Sequence, residues 1–160
     1  MAEEKKKKKL CIIVSKGTLD AAYPPLILAS TAASMDWEAH LFFTFYGLDI
    51  INKKKYKSLK VAPIANPAMP MPVPNIIGML PGMTAMATLM MKRMMKKQNV
   101  PSIEELINMC KEMGVKFYGC QMTMDVMGIK EEDLLPVVDA CLGAAGFLDI
   151  ASDADVTLFI

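Results

Sequence analysis

The sequence has little of what zinc sites and nucleic-acid sites require. Its 160 residues include one histidine, His40, only 7% aromatic residues and a formal net charge of +1. A general nucleic-acid binder normally carries a clear basic excess, and aromatic side chains on which bases stack. No Cys-x-x-Cys pair occurs, so a zinc site lacks conventional ligands at useful spacing. We therefore predict no nucleic-acid partner, no metal and no cofactor.

Long apolar runs are also missing. The run Leu10–Val14, behind the N-terminal lysines, is too short for the core of a signal peptide. The apolar stretch in the middle of the chain contains Pro81-Gly82 and is short for a membrane span. We predict a cytoplasmic protein with a basic tail over residues 1–9 and one domain over residues 10–160. In a reducing cytosol we expect four free thiols, those of Cys11, Cys110, Cys120 and Cys141.

Predicted strands and helices alternate along the chain. Leu10–Val14 has the β-branched, apolar character of a strand that is buried on both faces. A helix over Ala21–Met35, with Asp20 as its N-cap, and a strand over His40–Tyr46 would complete a right-handed βαβ unit. The pattern continues to the C-terminus, so we predict an α/β fold with an open, mostly parallel sheet and helices on both faces. The later elements are helices near 83–97, 103–113, 121–127 and 143–152, and strands near 115–119 and 156–160.

Proline and methionine are concentrated in the middle of the chain. Six of the ten prolines lie between Pro63 and Pro81, and the sequence has 16 methionines. We predict a Pro/Met-rich insertion over residues 62–97 that ends in the helix Met83–Lys97, since regular structure does not run through so many prolines. Methionine suits adaptable packing or an interface. Because thioether sulfur is a soft ligand, Met69-x-Met71 and Met122-x-Met124 leave Cu(I) binding as an alternative.

The candidate site lies at the carboxyl ends of the strands, where open α/β sheets bind ligands. Of the four cysteines, only Cys120 lies at a predicted junction between a strand and the following helix. Backbone N–H groups and the positive end of that helix would favour its thiolate, which is the nucleophilic form. Cys141 is a possible second thiol, and a redox pair with Cys120 remains an alternative. The predicted pocket residues follow three strands: Ser15, Lys16, Gly17 and Thr18; Tyr46 and Gly47; and Gly119, Gln121, Met122 and Thr123.

The stretch around Cys120 resembles the DsrE/DsrF-like superfamily. Its most specific part is Cys120-Gln121-Met122-Thr123-Met124-Asp125-Val126-Met127-Gly128, which is similar to the branch labelled DsrE/DsrF/DrsH-like or, loosely, "peroxiredoxin family". The resemblance covers nearly the whole chain beyond the lysine tail. The other matching segments, in order, are Phe43–Leu48, Met71–Asn75, Leu80–Met83 and Ala151–Ile160.

That resemblance implies a flavodoxin-like three-layer sandwich that assembles into homo-oligomers. In related proteins a cysteine at this strand end carries sulfur as a persulfide or thiosulfonate, and the matching residue here is Cys120. We therefore expect a sulfur carrier or sulfurtransferase with donor and acceptor partners that are proteins or small sulfur compounds. The alternative is an oligomeric binding or scaffold protein in which Met83–Lys97 forms an interface, with peripheral membrane contact as a further version.

Overall fold

Five parallel strands form one open sheet in the computed structural model, which describes residues 6–62 and 80–160. The strands follow the spatial order β4-β3-β2-β1-β5, and every neighbouring pair is parallel. The predicted α/β fold with an open sheet is therefore confirmed. The strands are β1 (Lys9–Val14), β2 (Glu38–Phe43), β3 (Lys116–Cys120), β4 (Ala140–Leu142) and β5 (Val156–Phe159).

The described helices begin and end at recognisable signals. Ser102 accepts a hydrogen bond from the Glu105 N–H, and the Glu105 carboxylate accepts one from the Ser102 N–H, which is a complete capping box. Gly114 and Gly128 adopt left-handed backbone, with φ of +84° and +64°, just beyond two helix ends. The helices are α1 (Leu19–Ser34), α2 (Met83–Lys97), α3 (Ile103–Glu112), α4 (Gln121–Met127) and α5 (Ala144–Ala151).

Helices cover both faces of the sheet, but unequally. Because side chains alternate along a strand, Ile12 and Val14 face the larger core, which α1 and α3 also line. Cys11 lies on the opposite face, in a smaller cluster that includes Phe42 and Phe147. The rings of Phe42 and Phe147 are stacked with centroids 4.5 Å apart, which fixes α5 on that face. The result is three layers, with the thinner helical layer on the face of Cys11.

Two local predictions are wrong, and one strand was missed. The second strand ends at Phe43 instead of Tyr46, because Phe45 takes φ +45° and the chain continues as a 3-10 helix over Phe45–Ile51. Asp20 is the second residue of α1 and not its N-cap; the N-cap is Thr18, and the Asp20 carboxylate accepts a hydrogen bond from the Ala62 N–H at 3.0 Å. The sequence analysis assigned no element to Ala140–Leu142, which is a strand.

The two predicted appendages are only partly described. Residues 1–5 of the basic tail and residues 63–79 of the insertion lie outside the described residues. The basic tail ends one residue earlier than predicted, because Lys9 already pairs with Glu38 in the sheet. The predicted helix over Met83–Lys97 is present as α2. None of the helices described is long and apolar enough to cross a membrane.

One side of α2 packs on the domain while the other is exposed. The Thr88 hydroxyl accepts a hydrogen bond from the Val61 N–H at 3.1 Å, and Thr88 is the buried residue of this helix. Partly buried neighbours on the same side contact the larger core. The exposed side carries large apolar side chains: Met86, Leu89, Met90 and Met94.

Candidate thiol site at the carboxyl edge of the sheet

Cys120 is both the last residue of β3 and the N-cap of α4. Its side chain retains 4% exposure and belongs to the smaller cluster with Phe42 and Phe147. The register between β2 and β3 pairs Phe43 with Gly119, so the residues that follow these two strands lie side by side. The fold therefore holds the predicted thiol at the carboxyl edge of the sheet, next to the loop after β2.

The pKa of the Cys120 thiol lies below its ordinary value. Burial by itself raises the pKa, because desolvation disfavours the thiolate. Nearby donor groups outweigh that effect because they stabilise the thiolate, although the resting sulfur makes no N-cap hydrogen bond. They are the hydroxyl and N–H of Thr123, the Thr44 hydroxyl and the Met122 N–H. The two N–H groups are in the first turn of α4, where backbone donors have no partner within the helix. Local donors thus favour the nucleophilic form of the sulfur.

Two buried threonines join the loop after β2 to the start of α4. The Oγ1 atoms of Thr44 and Thr123 are 3.0 Å apart, and the Phe45 N–H donates to Thr123 Oγ1 at 3.3 Å. Thr123 is one of the predicted pocket residues, whereas the sequence analysis missed Thr44. The available signal was that Thr44 directly follows an apolar strand, at the edge where ligand sites form.

The predicted loops after β1 and β2 pack against each other. Ser15 accepts a hydrogen bond from the Gly47 N–H at 3.2 Å, and its hydroxyl donates to the Ile160 carbonyl at 3.0 Å. A Cβ atom on Gly17 would lie 2.1 Å from the Tyr46 carbonyl oxygen, so this contact requires glycine. Lys16 is exposed at the same turn, and Thr18 begins α1.

The predicted pocket residues around β3 differ in their surroundings. Met122 and Gln121 are exposed, and the Gln121 amide donates to the Asp125 carboxylate at 2.9 Å. Gly119 is buried within β3, where an added Cβ would lie 3.3 Å from the Met124 sulfur. Tyr46 is 67% exposed, so it presents most of its side chain to the outside.

Cys141 and Cys120 lie on opposite faces of the sheet. Cys141 pairs with Gly119 in the register of β3 and β4, and a Cβ on Gly119 would lie 3.5 Å from the Cys141 sulfur. Cys141 therefore faces the larger core, whereas Cys120 faces the smaller cluster. Burial and the neighbouring Glu131 carboxylate raise the pKa of the Cys141 thiol. A direct disulfide between the two would require the sheet edge to rearrange.

In the two remaining cysteines, Cys11 and Cys110, burial disfavours the thiolate form. Burial raises the pKa of Cys11 and of Cys110 to about 11. Within residues 6–62 and 80–160, no three His, Cys, Asp or Glu side chains are grouped so as to hold a metal ion. Of the proposed copper ligands, Met122 is exposed while Met124 is buried, and Met69 and Met71 lie outside the described residues.

Solved structures share this arrangement of strands and helices. A protein of unknown function from Methanobacterium thermoautotrophicum, MTH1491, superimposes with a TM-score of 0.54 over 95% of this chain and 99% of its own, at 11% identity. The ychN protein of E. coli gives a TM-score of 0.52 over 96% of this chain and 99% of its own, at 12% identity. The fold is therefore that of a known class of open-sheet α/β proteins.

Sequence comparison identifies the family. The sequence model of the DsrE/DsrF/DrsH-like family matches residues 6–159, and the chain belongs to that family. It is 47% identical over 159 residues to the sulfur carrier protein DsrE2 of Allochromatium vinosum, covering 96% of this chain and 98% of that protein. It is also 34% identical over 163 residues to the uncharacterized protein YrkE of Bacillus subtilis, covering 96% of this chain and 97% of that protein.

Proposed function

We propose that this protein carries sulfane sulfur or thiosulfonate on Cys120 and passes it to a partner thiol. The observation that carries the proposal is the position of Cys120 at the end of β3 and the N-cap of α4, where nearby hydroxyl and N–H groups favour its thiolate. The 47% identity to a sulfur carrier protein supports the same chemistry. The resting thiol must stay reduced between cycles, so the proposal requires a reducing compartment such as the cytoplasm.

Loading is a nucleophilic displacement at sulfur. The Cys120 thiolate attacks a sulfane sulfur of a polysulfide, the S–S bond of the donor breaks, and the shortened donor leaves with the electron pair. Thiosulfate would give the same persulfide with sulfite as the leaving group. Tetrathionate would give a thiosulfonate, Cys–S–S–SO₃⁻, with thiosulfate as the leaving group. None of these steps needs a further oxidant, because the donor already contains the oxidised sulfur.

Unloading reverses the roles of the sulfur atoms. The thiolate of an acceptor attacks the outer sulfur of the Cys120 persulfide, and Cys120 leaves as a thiolate. The groups that stabilise the resting thiolate therefore also stabilise this leaving group. Phe45 directly follows Thr44, and Met122 directly precedes Thr123. Both are exposed, as is Tyr46, so these three side chains offer an apolar rim for a protein acceptor.

Mass spectrometry of the intact protein tests the proposal. Wild type, Cys120→Ser and the matched control Cys141→Ser are exposed separately to polysulfide, thiosulfate and tetrathionate. We expect a sulfur or thiosulfonate adduct on wild type and Cys141→Ser, and none on Cys120→Ser. Equal loading of Cys120→Ser would refute the assignment, as would the absence of any adduct on a folded protein whose Cys120 thiol reacts with an alkylating agent.

A second candidate is an oligomeric binding or scaffold protein without thiol chemistry. The observation that favours it is the exposed apolar side of α2, formed by Met86, Leu89, Met90 and Met94. Burying such a surface against a second copy would stabilise a homo-oligomer. Sedimentation and liposome flotation of wild type and Met90→Lys test it. An oligomer or vesicle-bound protein that dissociates in Met90→Lys, together with the absence of any Cys120-dependent sulfur adduct, supports this candidate. A wild-type monomer that does not bind vesicles removes it.

A further inference from the structure

A pair of buried hydroxyl groups lies beside Cys120. The Oγ1 atoms of Thr44 and Thr123 are 3.0 Å apart although the residues are 79 positions apart in the chain. They retain 8% and 2% exposure, so bulk water does not reach either hydroxyl freely. Their meeting follows from the parallel register that sets Phe43 opposite Gly119, because it brings the ends of β2 and β3 to the same level.

One of the two hydroxyl hydrogens is not used in the hydrogen bond between the threonines. Two hydroxyls at this distance share one hydrogen bond, and whichever group donates it, the hydrogen of the other remains available. The Thr123 oxygen also accepts from the Phe45 N–H at 3.3 Å, which uses one of its two lone pairs and leaves the other for the Thr44 hydroxyl. A buried hydroxyl hydrogen needs an acceptor. The Cys120 sulfur is the nearby candidate, because the β2–β3 register sets Thr44 beside Cys120 and Thr123 is the third residue of the helix that Cys120 caps.

We propose that Thr44 and Thr123 act together as a positioning unit that keeps one hydroxyl hydrogen against the Cys120 sulfur, whichever of the two donates it. When Thr44 donates to Thr123, the Thr123 hydrogen points to the sulfur; when Thr123 donates to Thr44, the Thr44 hydrogen does. Removing either hydroxyl leaves the other free to donate, since among the described residues neither hydroxyl has an acceptor other than its partner in the pair. Removing both leaves the thiolate with backbone donors alone.

This unit would matter most when Cys120 acts as the leaving group. The proposal rests on the proposed function here, because transfer of the outer sulfur to an acceptor returns the negative charge to the Cys120 sulfur. A donor that is already in place stabilises that charge without reorganisation. The hydroxyl pair touches the reacting atom through hydrogen atoms only, and neither threonine forms or breaks a covalent bond.

Titration of Cys120 by timed alkylation, read peptide by peptide with mass spectrometry, tests the unit. The variants are Thr44→Val, Thr123→Val, the double valine variant and the double serine variant, with the exposed Thr157→Val on β5 as the matched control. We expect the double valine variant to raise the thiol pKa by about one unit, which lowers the alkylation rate near neutral pH about ten-fold. Each single valine variant should raise the pKa of Cys120 by less than about half of the shift in the double valine variant. The double serine variant and the control should have the wild-type pKa.

Three outcomes would overturn the unit. If the pKa shifts of the two single valine variants add up to the shift of the double variant, the threonines are two separate donors. If the double valine variant has the wild-type pKa of Cys120, neither hydroxyl donates to the sulfur. If the double serine variant behaves like the double valine variant, the hydroxyl groups are not the cause of the shift. Thermal unfolding checks that each variant is folded; if double valine is not, Thr44→Ala with Thr123→Ala removes both hydroxyls without adding a methyl group. The titration uses no sulfur compound, so this inference and the sulfur-carrier proposal can fail separately.

Discussion

Gly17 lies against the carbonyl oxygen of Tyr46 so closely that a Cβ atom would come within 2.1 Å of that oxygen. The same relationship recurs one residue further on, where a Cβ on Gly47 would lie 2.1 Å from the Val14 carbonyl oxygen. The two glycines therefore allow the loops after β1 and β2 to touch through their backbones. This contact holds the start of the 3-10 helix in place, one residue after Thr44.

Alanine at Gly17 should destabilise the fold. Backbone atoms must shift to admit the methyl group, which costs about 1–3 kcal/mol in the free energy of unfolding. The matched control is Gly146→Ala in α5, where the new Cβ makes ordinary contacts at 3.7 Å and alanine favours the helix. Urea unfolding followed by circular dichroism measures both. A Gly17→Ala protein as stable as wild type would contradict the close contact.

The ratio of alkylation rates of Cys120 and Cys141 should fall as the pH rises. The pKa of Cys120 is lowered, whereas burial and Glu131 raise the pKa of Cys141. Cys120 therefore reaches its full thiolate fraction at a lower pH, while the thiolate of Cys141 continues to increase. The two thiols also differ in their accessibility to the reagent, but this difference multiplies the ratio by the same factor at every pH. The change of the ratio with pH therefore reports the two pKa values. Timed iodoacetamide labelling between about pH 6 and 9 measures it, and a ratio that rises would contradict the pKa order.

Mild oxidation should not link Cys120 to Cys141 within one folded chain. The two sulfur atoms point to opposite faces of the sheet, since Cys141 pairs with Gly119 and not with Cys120. Treatment with diamide, followed by digestion without reduction and mass spectrometry, should yield no peptide pair joined by these residues. The same treatment in denaturant serves as the positive control. A disulfide formed under native conditions would restore the redox-pair alternative.

Asp153 should make stability depend on pH in the acid range. Contacts with Lys9 and Lys6 lower its pKa from 3.8 to about 2. A carboxylate whose folded pKa is depressed stabilises the fold above its unfolded pKa, and this contribution disappears as the pH falls from about 4 to about 2. The difference in unfolding free energy between wild type and Asp153→Asn should therefore be largest above pH 4 and shrink towards pH 2.

Two controls accompany the Asp153 variant. Asp149→Asn removes a carboxylate that has no ion pair among the described residues, so it controls for the loss of one negative charge. High salt should reduce the Asp153 effect, because the contact is half exposed and screened by ions. A difference that stays constant from neutral pH to pH 2 would show that the lysine contacts do not hold the carboxylate ionised.

Local sequence signals predicted most of the elements. The capping box at Ser102 and the glycines at 114 and 128 act within a few residues, so they give the boundaries of α3 and α4 directly. The end of β2 was harder to predict, because Phe45 adopts a left-handed backbone that its residue type disfavours. The strand Ala140–Leu142 was also missed, since three residues at the sheet edge form a strand only by pairing with β3.

The sequence by itself determined which sulfur is the candidate nucleophile, because a cysteine between an apolar strand and a helix start is a local pattern. It also determined the alternation of elements that produces a parallel sheet. The tertiary structure alone decided what surrounds that sulfur. Thr44 reaches Cys120 only because β2 and β3 are neighbours, and Cys141 faces away only because of the β3–β4 register. Both facts depend on contacts between distant parts of the chain, which no local pattern encodes.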